Sequence, residues 1–456
     1  MFEDGEWDGD IFDDRPNGEG IYKYFNGDIY NGEFKFGLKY GKGYYLFENG
    51  EYYDGEWEND LRDGQGIYKY KSGSNYRGAW VRDHCTGVGI YEYASGARYE
   101  GDWTVDMRDG KGSWISKNGS KYIGSWKNNL FDGKGVYEYS NGNKFEGTYV
   151  KGKRNGYGNY KFVNGDYYDG NFADDLFDGS GVYTYQNGHK YIGNWSNDLK
   201  NGEGMYYYKN GDFYNGQFED GKRHGPGIFF YKDADRFEGT WDNDCRVQGT
   251  YYNKCGDSYI GGLNNRMREG YGVNNFAWGN KYEGYYKNNR RHGKGKLTFK
   301  NGDVYEGDWV EAWRSGYGKY AFSCGDLFEG QWKDDKRNGD GLYNYKDGDK
   351  YKGNWVDNSW NGFGVFKWAN GGSYEGQFIK GIKCGHGVFT YVSGNVYTGE
   401  FDKGEPNGKG VFSNKPKGWV YEGEFVTGKF EGKGILKGPD GNVQYEGQWE
   451  NDQPKL

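Results

Sequence analysis

Basic residues recur at one position of a repeated sequence, two residues before a Gly-x-Gly motif. Lysine or arginine occupies this position eleven times: Lys39, Arg62, Arg108, Arg154, Lys200, Arg223, Arg268, Arg291, Arg314, Arg337 and Lys383. A regular row of cations can bind an acidic protein surface or the head groups of anionic lipids. The alternative is that each cation is neutralised by an aspartate or glutamate of its own loop. Arg291 stands beside Arg290 and His292, which makes it the most basic point of the row.

The histidines are too widely separated to form a shared catalytic or metal site. The chain has five of them: His84, His189, His224, His292 and His386. Two of them, His224 and His292, occupy equivalent positions three repeats apart, or about 29 Å at ordinary strand spacing. Acidic pairs such as Asp174-Asp175 lack the ligand spacing of a calcium-binding loop. The sequence therefore predicts no metal site and no catalytic residue.

The Gly-x-Gly motifs resemble the glycine-rich loops that bind phosphate groups. Those loops act together with a helix N-terminus, whose N–H groups point at the phosphate. No helical pattern follows any of the motifs in this sequence, and no segment long enough for a catalytic domain lacks the repeat. We therefore predict no nucleotide site, no cofactor and no enzymatic activity.

A unit of about 23 residues positions these side chains. Its most constant part is an aromatic residue, a glycine two residues later and a second large residue two further on, as in Tyr122-Ile-Gly-Ser-Trp126. Self-similarity over the whole chain predicts a repeat architecture in which neighbouring units stabilise one another. The first aromatic residue identifies nineteen copies: Tyr30, Tyr53, Tyr76, Tyr99, Tyr122, Phe145, Tyr168, Tyr191, Tyr214, Phe237, Tyr259, Tyr282, Tyr305, Phe328, Tyr351, Tyr374, Tyr397, Tyr421 and Tyr445.

Each unit is predicted to be a β-hairpin. Large residues and glycines alternate with polar residues in both halves of the unit, so they share one face of each strand. Asn141-Gly142 is a strong signal for a short hairpin turn, and residues 127–132 are predicted to form the longer return loop. The glycines Gly124 and Gly135 lie on the same face as the rings, where the missing side chains leave room for neighbouring rings to lie flat. Successive hairpins should therefore pair as a continuous antiparallel meander.

The repeat also predicts the domain organisation. Residues 1–29 are interpreted as a degenerate N-terminal capping hairpin, residues 30–449 as continuous repeats and residues 450–456 as a C-terminal tail. The unit at 242–263 is irregular: its loop is one residue short, Val247 replaces a glycine and Leu263 replaces the second aromatic residue. This irregularity is either tolerated or introduces a bend in the sheet. The last unit has no evident return strand, which leaves an open edge that a second copy could pair with.

Composition excludes several classes of protein. No apolar run is long enough for a membrane-spanning helix, and the acidic start lacks the features of a signal peptide. A net charge of −8 argues against nucleic acid as a partner. The five cysteines do not recur in register, so a disulfide framework is not expected and a reducing, cytoplasmic setting is favoured. Aromatic residues reach 20%, which argues against disorder.

The sequence resembles the MORN-repeat family over residues 5–449. The resemblance rests on segments such as Tyr-Glu-Gly-Asp-Trp at 305–309, Asn-Gly-Asp-Phe-Tyr-Asn-Gly-Gln-Phe at 210–218 and Gly-Lys-Arg-His-Gly-Pro-Gly at 221–227. The family favours His or Asn before Gly-x-Gly, whereas this chain more often has Asp or Asn, with His only at His224 and His292. The resemblance implies an all-β fold, an elongated single-layer twisted antiparallel meander of about nineteen hairpins.

What the resemblance implies about function is assembly and localisation. Pure-repeat members of the family occur in radial spokes of the axoneme and in cytoskeletal scaffolds, so the expected function is a non-enzymatic rod that binds other proteins. The expected partners are axonemal or cortical cytoskeletal proteins, with a homodimer through the terminal edge as a further expectation. The alternative is a peripheral membrane or phosphoinositide tether acting through the basic row. Glycan binding, known for other aromatic-glycine repeats, is disfavoured by the missing signal peptide and by the Gly-x-Gly register.

Overall fold

The computed structural model describes residues 2–264 and 266–455, and every regular element in these ranges is a β-strand. The chain divides into two compact units, Met1–Lys232 and Asp233–Leu456. Met1 and Leu456, at the ends of the predicted cap and tail, lie outside the described residues, as does Asn265 in the predicted repeat region. The prediction of an all-β protein is confirmed.

The first unit forms an antiparallel sheet in which each strand pairs with the next along the chain. Its strands are Gly5–Phe12 (β1), Arg15–Tyr24 (β2), Ile29–Lys35 (β3), Leu38–Leu46 (β4), Tyr52–Glu58 (β5), Leu61–Lys69 (β6), Asn75–Val81 (β7), His84–Glu92 (β8), Arg98–Thr104 (β9), Met107–Ile115 (β10), Lys121–Lys127 (β11), Leu130–Glu138 (β12), Lys144–Val150 (β13), Lys153–Lys161 (β14), Tyr167–Ala173 (β15), Leu176–Thr184 (β16), Lys190–Ser196 (β17), Leu199–Tyr207 (β18), Phe213–Glu219 (β19) and Lys222–Phe230 (β20).

The second unit has the same organisation, again with sequential antiparallel pairing. Its strands are Arg236–Asp242 (β21), Cys245–Tyr252 (β22), Ser258–Asn264 (β23), Met267–Asn275 (β24), Lys281–Lys287 (β25), Arg290–Thr298 (β26), Val304–Val310 (β27), Trp313–Ala321 (β28), Leu327–Lys333 (β29), Lys336–Asn344 (β30), Lys350–Val356 (β31), Ser359–Lys367 (β32), Ser373–Ile379 (β33), Ile382–Thr390 (β34), Val396–Asp402 (β35), Glu405–Ser413 (β36), Val420–Val426 (β37), Lys429–Lys437 (β38), Val443–Glu450 (β39) and Gln453–Pro454 (β40).

The lengths of the two connections in each repeat are the reverse of those predicted: the predicted return loop is the short turn, and the Asn-Gly pair lies in the longer loop. Strand β11 is joined to β12 by Asn128 and Asn129 alone, both with positive φ, whereas five residues separate β12 from β13. In that longer loop only Gly142 of the Asn-Gly pair has a positive φ. Two positive φ values define the tight turn whose twist matches paired strands, so the short connection lies where two left-handed residues are consecutive. The predicted return loop at 127–132 is therefore wrong in length, and its last residues belong to β12.

The glycines make room for the rings, as predicted. A Cβ atom added at Gly135 would lie 2.4 Å from the hydroxyl oxygen of Tyr122, and one at Gly124 would lie 2.5 Å from the Cα of Gly135. Tyr122 is fully buried in the face of the sheet that we call the ring face, which contains the buried tyrosine, phenylalanine and tryptophan side chains. Its hydroxyl donates to the carbonyl of Ser125 at 2.8 Å, so the polar end of the ring is satisfied.

The hairpin of the irregular unit is one residue short, and its β-bulge is smaller than the bulge of a regular hairpin. In a regular hairpin, Gly124 pairs with Gly135 and Trp126 with Phe131, which leaves three residues of β12 facing one of β11. In the irregular hairpin, Thr240 pairs with Gln248 and Trp241 with Arg246, so a single residue, Val247, is unpaired. Because the shortened bulge needs no left-handed glycine, valine is accommodated there. The bend proposed at this unit stays a prediction.

The chain ends in a short return strand. Strand β40 contains only two residues, and they pair with Trp449 and Glu450 at the end of β39. The expectation that the last unit has no return strand is therefore corrected. Since β40 covers only this end of β39, most of the outer edge of β39 has no strand partner among the described residues.

Candidate binding surface

The basic residues of the row lie on the ring face, between rings of consecutive hairpins. Arg62, the second residue of β6, lies opposite Trp57, and its guanidinium carbon lies 4.2 Å from the ring centroid of Trp80 and 5.2 Å from that of Tyr68. At these distances a cation is attracted to the electron-rich face of each ring. Where a hairpin has the basic residue, the ring face therefore holds a cation between aromatic side chains.

The same residue bonds to the tight turn of the next hairpin. Arg62 Nε donates to Asp83 Oδ1 at 2.8 Å, and its Nη2 donates to the Asp83 carbonyl at 3.1 Å. The backbone N–H of Arg62 also donates to Asp83 Oδ1, at 3.0 Å. We call a basic residue together with the turn residue 21 positions later a rung.

Among the rungs whose contacts the structure describes, four contain a carboxylate within ion-pair distance of the cation. Their cations are 13–22% exposed, so most of each basic side chain is removed from solvent. The carboxylate comes from the next hairpin and not from the cation's own loop. The four pairs are Lys39–Asp60 at 3.3 Å, Arg62–Asp83 at 2.8 Å, Arg154–Asp175 at 3.1 Å and Arg314–Asp335 at 2.9 Å.

Other rungs have a neutral turn residue. Asparagine replaces aspartate at three of them and accepts the backbone N–H of the basic residue at 2.7–3.0 Å; these are Arg108–Asn129, Arg268–Asn289 and Arg337–Asn358. At Arg291 the turn residue is Ala312, which offers only its carbonyl, at 3.0 Å from Arg291 Nη2. Burial lowers the pKa of Arg291, of Arg337 and of Lys383.

The remaining members of the row follow the same placement over rings. Lys200 Nζ lies 4.8 Å from the ring centroid of Tyr206, and the guanidinium carbon of Arg223 lies 5.7 Å from that of Phe229. Lys383 Nζ lies 4.6 Å from the centroid of Phe389. All eleven predicted residues thus occupy one kind of position, spread over the two units. Partner binding by this row stays a prediction.

One further arginine, Arg246, occupies this position on the ring face although no Gly-x-Gly motif follows it. Arg246 lies opposite Trp241, with its guanidinium carbon 4.7 Å from the ring centroid of Phe237. The Gly-x-Gly motif that follows the other basic residues is broken here, because Val247 replaces its first glycine. Counting five residues on from the second aromatic residue, as from Trp57 to Arg62, would have found it.

Where the position has no cation, an aromatic ring often fills it. Phe131 stacks on Tyr122 with centroids 3.9 Å apart, and Trp360 stacks on Tyr351 at 4.5 Å. Phe177 and Phe430 stack in the same way. A flat cation and a flat ring therefore substitute for one another, which indicates that the position also stabilises the sheet.

The structure brings one cysteine, one histidine and one aspartate together. Asp106 Oδ2 lies 2.6 Å from His84 Nδ1, and the same carboxylate accepts from the backbone N–H of Cys85 at 2.8 Å. Burial, and then the charge of Asp106, raises the pKa of the Cys85 thiol to about 12, so the thiol stays protonated at neutral pH. In residues 2–264 and 266–455 no cluster of His, Cys, Asp and Glu side chains is arranged to hold a metal ion.

The second unit contains a cavity of about 440 Å³ around Arg291. We call it the Arg291 cavity. Its lining includes the cations Arg268, Arg290, Arg291 and Arg314 together with Asp335, and aromatic side chains that include Trp278 and Trp309. Such a mixture of arginine and tryptophan is typical of the residues that dominate protein–protein binding energies.

The family is established by direct comparison. A model of the MORN repeat matches eighteen segments: 5–29, 30–52, 53–75, 76–98, 99–121, 122–144, 145–167, 168–190, 191–213, 214–236, 282–304, 305–326, 328–350, 351–373, 374–396, 397–415, 421–443 and 445–455. The chain therefore belongs to the MORN-repeat family. The unmatched residues 237–281 include the irregular unit, in agreement with its departures from the repeat.

Solved structures with some likeness include domains of centriolar proteins. The TCP domain of SAS-4 (dCPAP) from Drosophila melanogaster, in complex with a proline-rich motif of Ana2, is 13% identical, with a TM-score of 0.23 over 33% of this chain and 82% of that one. The TCP10 domain of Danio rerio CPAP is 10% identical, with a TM-score of 0.19 over 59% of this chain and 99% of that one. A comparison with curated proteins gives no match. In the described parts of the chain, no helix is long and apolar enough to cross a membrane.

Proposed function

We propose that this MORN-repeat protein is a scaffold without enzymatic activity that binds other proteins along its ring face. The observation that supports this most is the recurrence of partly exposed cations between tyrosine and tryptophan rings through both units. Tyrosine, tryptophan and arginine are the side chains enriched at protein interfaces. Because the rungs repeat along the sheet, one chain offers several similar docking positions.

We further propose a cytoplasmic location in a cytoskeletal or ciliary assembly, with axonemal or cortical proteins as partners. This proposal rests on the family, whose pure-repeat members it resembles. The five free cysteines support a reducing compartment. The outer edge of β39 also offers backbone groups through which a second copy could add strands.

Proximity labelling with the full chain, followed by purification of cross-linked complexes, tests the scaffold. The expected result is a small set of cytoskeletal or ciliary proteins recovered in fixed ratio to the chain. Recovery should fall as salt rises, because the cations of the ring face contribute to the attraction. Labelling of membrane neighbours alone, with no protein recovered in fixed ratio, would overturn the proposal.

A membrane or phosphoinositide tether is the second candidate, and the row of cations is the observation that favours it. The contacts of several rungs argue against a membrane tether, because their cations already contact carboxylates and lie between rings. Flotation with phosphatidylserine and phosphatidylinositol bisphosphate vesicles at physiological salt separates the two functions. The scaffold predicts that the chain stays at the bottom of the gradient, and quantitative flotation would favour the tether.

A further inference from the structure

The Arg291 rung lacks the carboxylate that other rungs contain. At the equivalent turn position of four rungs an aspartate bonds to the cation, whereas here the residue is Ala312. In the described part of the second unit, no carboxylate lies within ion-pair distance of Arg291. Its guanidinium carbon lies 4.2 Å from the ring centroid of Trp309, and its Nη2 donates to the Ala312 carbonyl. A half-buried guanidinium with one neutral acceptor has donors left for a further acceptor.

Ala312 is also an unexpected residue for its backbone conformation. Its φ is +75°, in the left-handed region that asparagine, aspartate and glycine adopt more readily than alanine. Asp335 occupies the corresponding position in the next hairpin, with a φ of +65°. At this rung, therefore, alanine provides neither the favoured backbone nor the usual partner for the arginine.

A second exception lines the same cavity. Trp278 occupies the turn position that small polar residues fill in neighbouring units, such as Asn301 and Cys324. The Trp278 side chain is 58% exposed and stacks on Phe276, with centroids 5.0 Å apart and an interplanar angle of 24°. Trp278, Phe276 and Arg291 all line the Arg291 cavity. Two departures from the repeat therefore line one cavity. Ala312 stands where other rungs have a carboxylate, and Trp278 adds an exposed ring.

The side chains that line the Arg291 cavity carry more positive than negative charge. Arg314 is bonded to Asp335, and Arg290 to Glu311. Arg268 Nη1 lies 3.5 Å from the side-chain oxygen of Asn274, which is neutral, and the turn residue of its rung is Asn289. Two of the four arginines that line the cavity, Arg268 and Arg291, therefore have no carboxylate at their rung.

We propose that the Arg291 cavity binds a short acidic segment of a partner protein. A glutamate or aspartate side chain of the segment occupies, beside Arg291, the place that Asp83 occupies beside Arg62, and an apolar side chain next to it packs on Trp278. Arginine suits this role because its planar group holds a carboxylate through two parallel hydrogen bonds. The inference rests on the proposed function and adds to it the position and chemistry of one docking site.

The substitution Ala312→Asp tests the site without removing any of its groups. The new carboxylate should reach Arg291 as Asp83 reaches Arg62 and should tolerate the positive φ better than alanine. We therefore expect the melting temperature to stay equal or rise while binding at the cavity falls at least tenfold. Gly381→Asp is the matched control, because it adds the same charge at the same turn position, also at a positive φ, where the bonded residue of the preceding hairpin is Trp360 and not a cation. Trp278→Asn, which restores the usual turn residue, should weaken binding by a smaller factor.

The probe is a fluorescent decapeptide library with a fixed central glutamate between randomised apolar residues, compared with the same library carrying glutamine. The full chain should select glutamate peptides at least tenfold over glutamine peptides, and Gly381→Asp should preserve this preference. Equal selection of both libraries, no selection, or unchanged selection by Ala312→Asp would overturn the inference. Binding of phosphatidylserine vesicles that Ala312→Asp abolishes would also overturn it, since the occupant would then be a lipid.

The failure of this site can be distinguished from the failure of the scaffold. If proximity labelling with the native chain and with Ala312→Asp recovers the same proteins in the same amounts, the site is wrong and the scaffold stands. If the native chain recovers no protein partner, the proposed function fails whatever the peptide library shows.

Discussion

Arg62 in one hairpin is bonded to Asp83 in the next, with Nε and Oδ1 2.8 Å apart. The same carboxylate oxygen accepts the backbone N–H of Arg62, so one side chain secures both the main chain and the cation. Asp83 also has a φ of +71°, which places it in the left-handed half of the tight turn. A single aspartate thus shapes its turn and joins it to the preceding hairpin.

Replacing Asp83 should separate these contributions. Asp83→Ala removes the acceptor of the Arg62 groups and is expected to lower the free energy of unfolding by about 1–3 kcal/mol. Asp83→Asn should cost less, because asparagine serves the same position at Asn129 and accepts the backbone N–H there at 3.0 Å. Hydrogen exchange at the Arg62 amide, together with thermal unfolding, measures both effects. Equal losses in the two variants would mean that the ion pair, and not the backbone acceptor, dominates.

A methyl group at Gly135 should disrupt one unit. Its Cβ would lie 2.4 Å from the hydroxyl oxygen of Tyr122, so Gly135→Ala must displace a fully buried ring and should cost about 3 kcal/mol. Tyr122→Phe is the matched variant, since Phe145 occupies the equivalent position natively; it loses one hydrogen bond and should cost about 1 kcal/mol. Thermal unfolding and local hydrogen exchange report the difference. A Gly135→Ala protein as stable as Tyr122→Phe would show that the ring is free to move.

Much of this structure follows from local pattern. The alternation of large and polar residues assigned each strand a face, and the glycines beside Tyr122 were correctly read as space for its ring. Those inferences succeed because side chains alternate strictly along a strand. The turn lengths did not follow, because Asn141-Gly142 is the stronger local signal although only its glycine has a positive φ.

The rungs could be located in the sequence, but their partners could not. Arg62 has Asp63 beside it in sequence, yet its bond is to Asp83, which the stacking of hairpins brings near. Arg246 was missed because the motif depended on a glycine that a shorter bulge does not require. Contacts between consecutive hairpins are set by register, which a pattern within one unit does not contain.

Cys85 should be far less reactive than the other cysteines. Its side chain is buried, and burial with the neighbouring Asp106 charge raises its pKa to about 12. Cys255 and Cys324 are exposed, so iodoacetamide can reach them and should alkylate them faster than Cys85 at neutral pH. Mass spectrometry of the native chain measures this. Alkylation of Cys85 as fast as that of Cys324 would contradict the burial of the Cys85 side chain.

Acid should destabilise the sheet through carboxylates in the longer loops. Asp303 accepts from the Tyr320 hydroxyl at 2.8 Å and from the Ser323 amide at 2.7 Å; its burial acts to raise its pKa, but these bonds outweigh burial and lower it. A lowered pKa in the folded state means that the stabilisation is present above the unfolded value, about 3.8, and is lost as pH falls below it. The pKa is also lowered at three further loop carboxylates that, like Asp303, accept from a tyrosine hydroxyl: Asp28, Glu51 and Asp166.

The variant with amides at all four of these positions is the test. It should show a smaller loss of melting temperature between neutral pH and pH about 3 than the native chain, because it has no charge there to neutralise. At neutral pH it should fold normally, since Asn143 serves an equivalent loop natively and bonds to Tyr160 at 3.0 Å. The same acid sensitivity in both proteins would show that other groups titrate in this range.

Alkali should unfold the sheet through its buried tyrosines. Burial raises the pKa of Tyr206 and of Tyr259 to about 12, and raises that of Tyr122 further. When a pKa is higher in the folded than in the unfolded state, stability is complete below the unfolded value, about 10, and is lost as pH rises above it. Because such tyrosines recur in most units, we expect cooperative unfolding above pH 10, with circular dichroism and tyrosinate absorbance changing together. If tyrosinate absorbance rises well before the circular dichroism signal of the sheet is lost, the tyrosines ionise in the folded state, and the prediction is wrong.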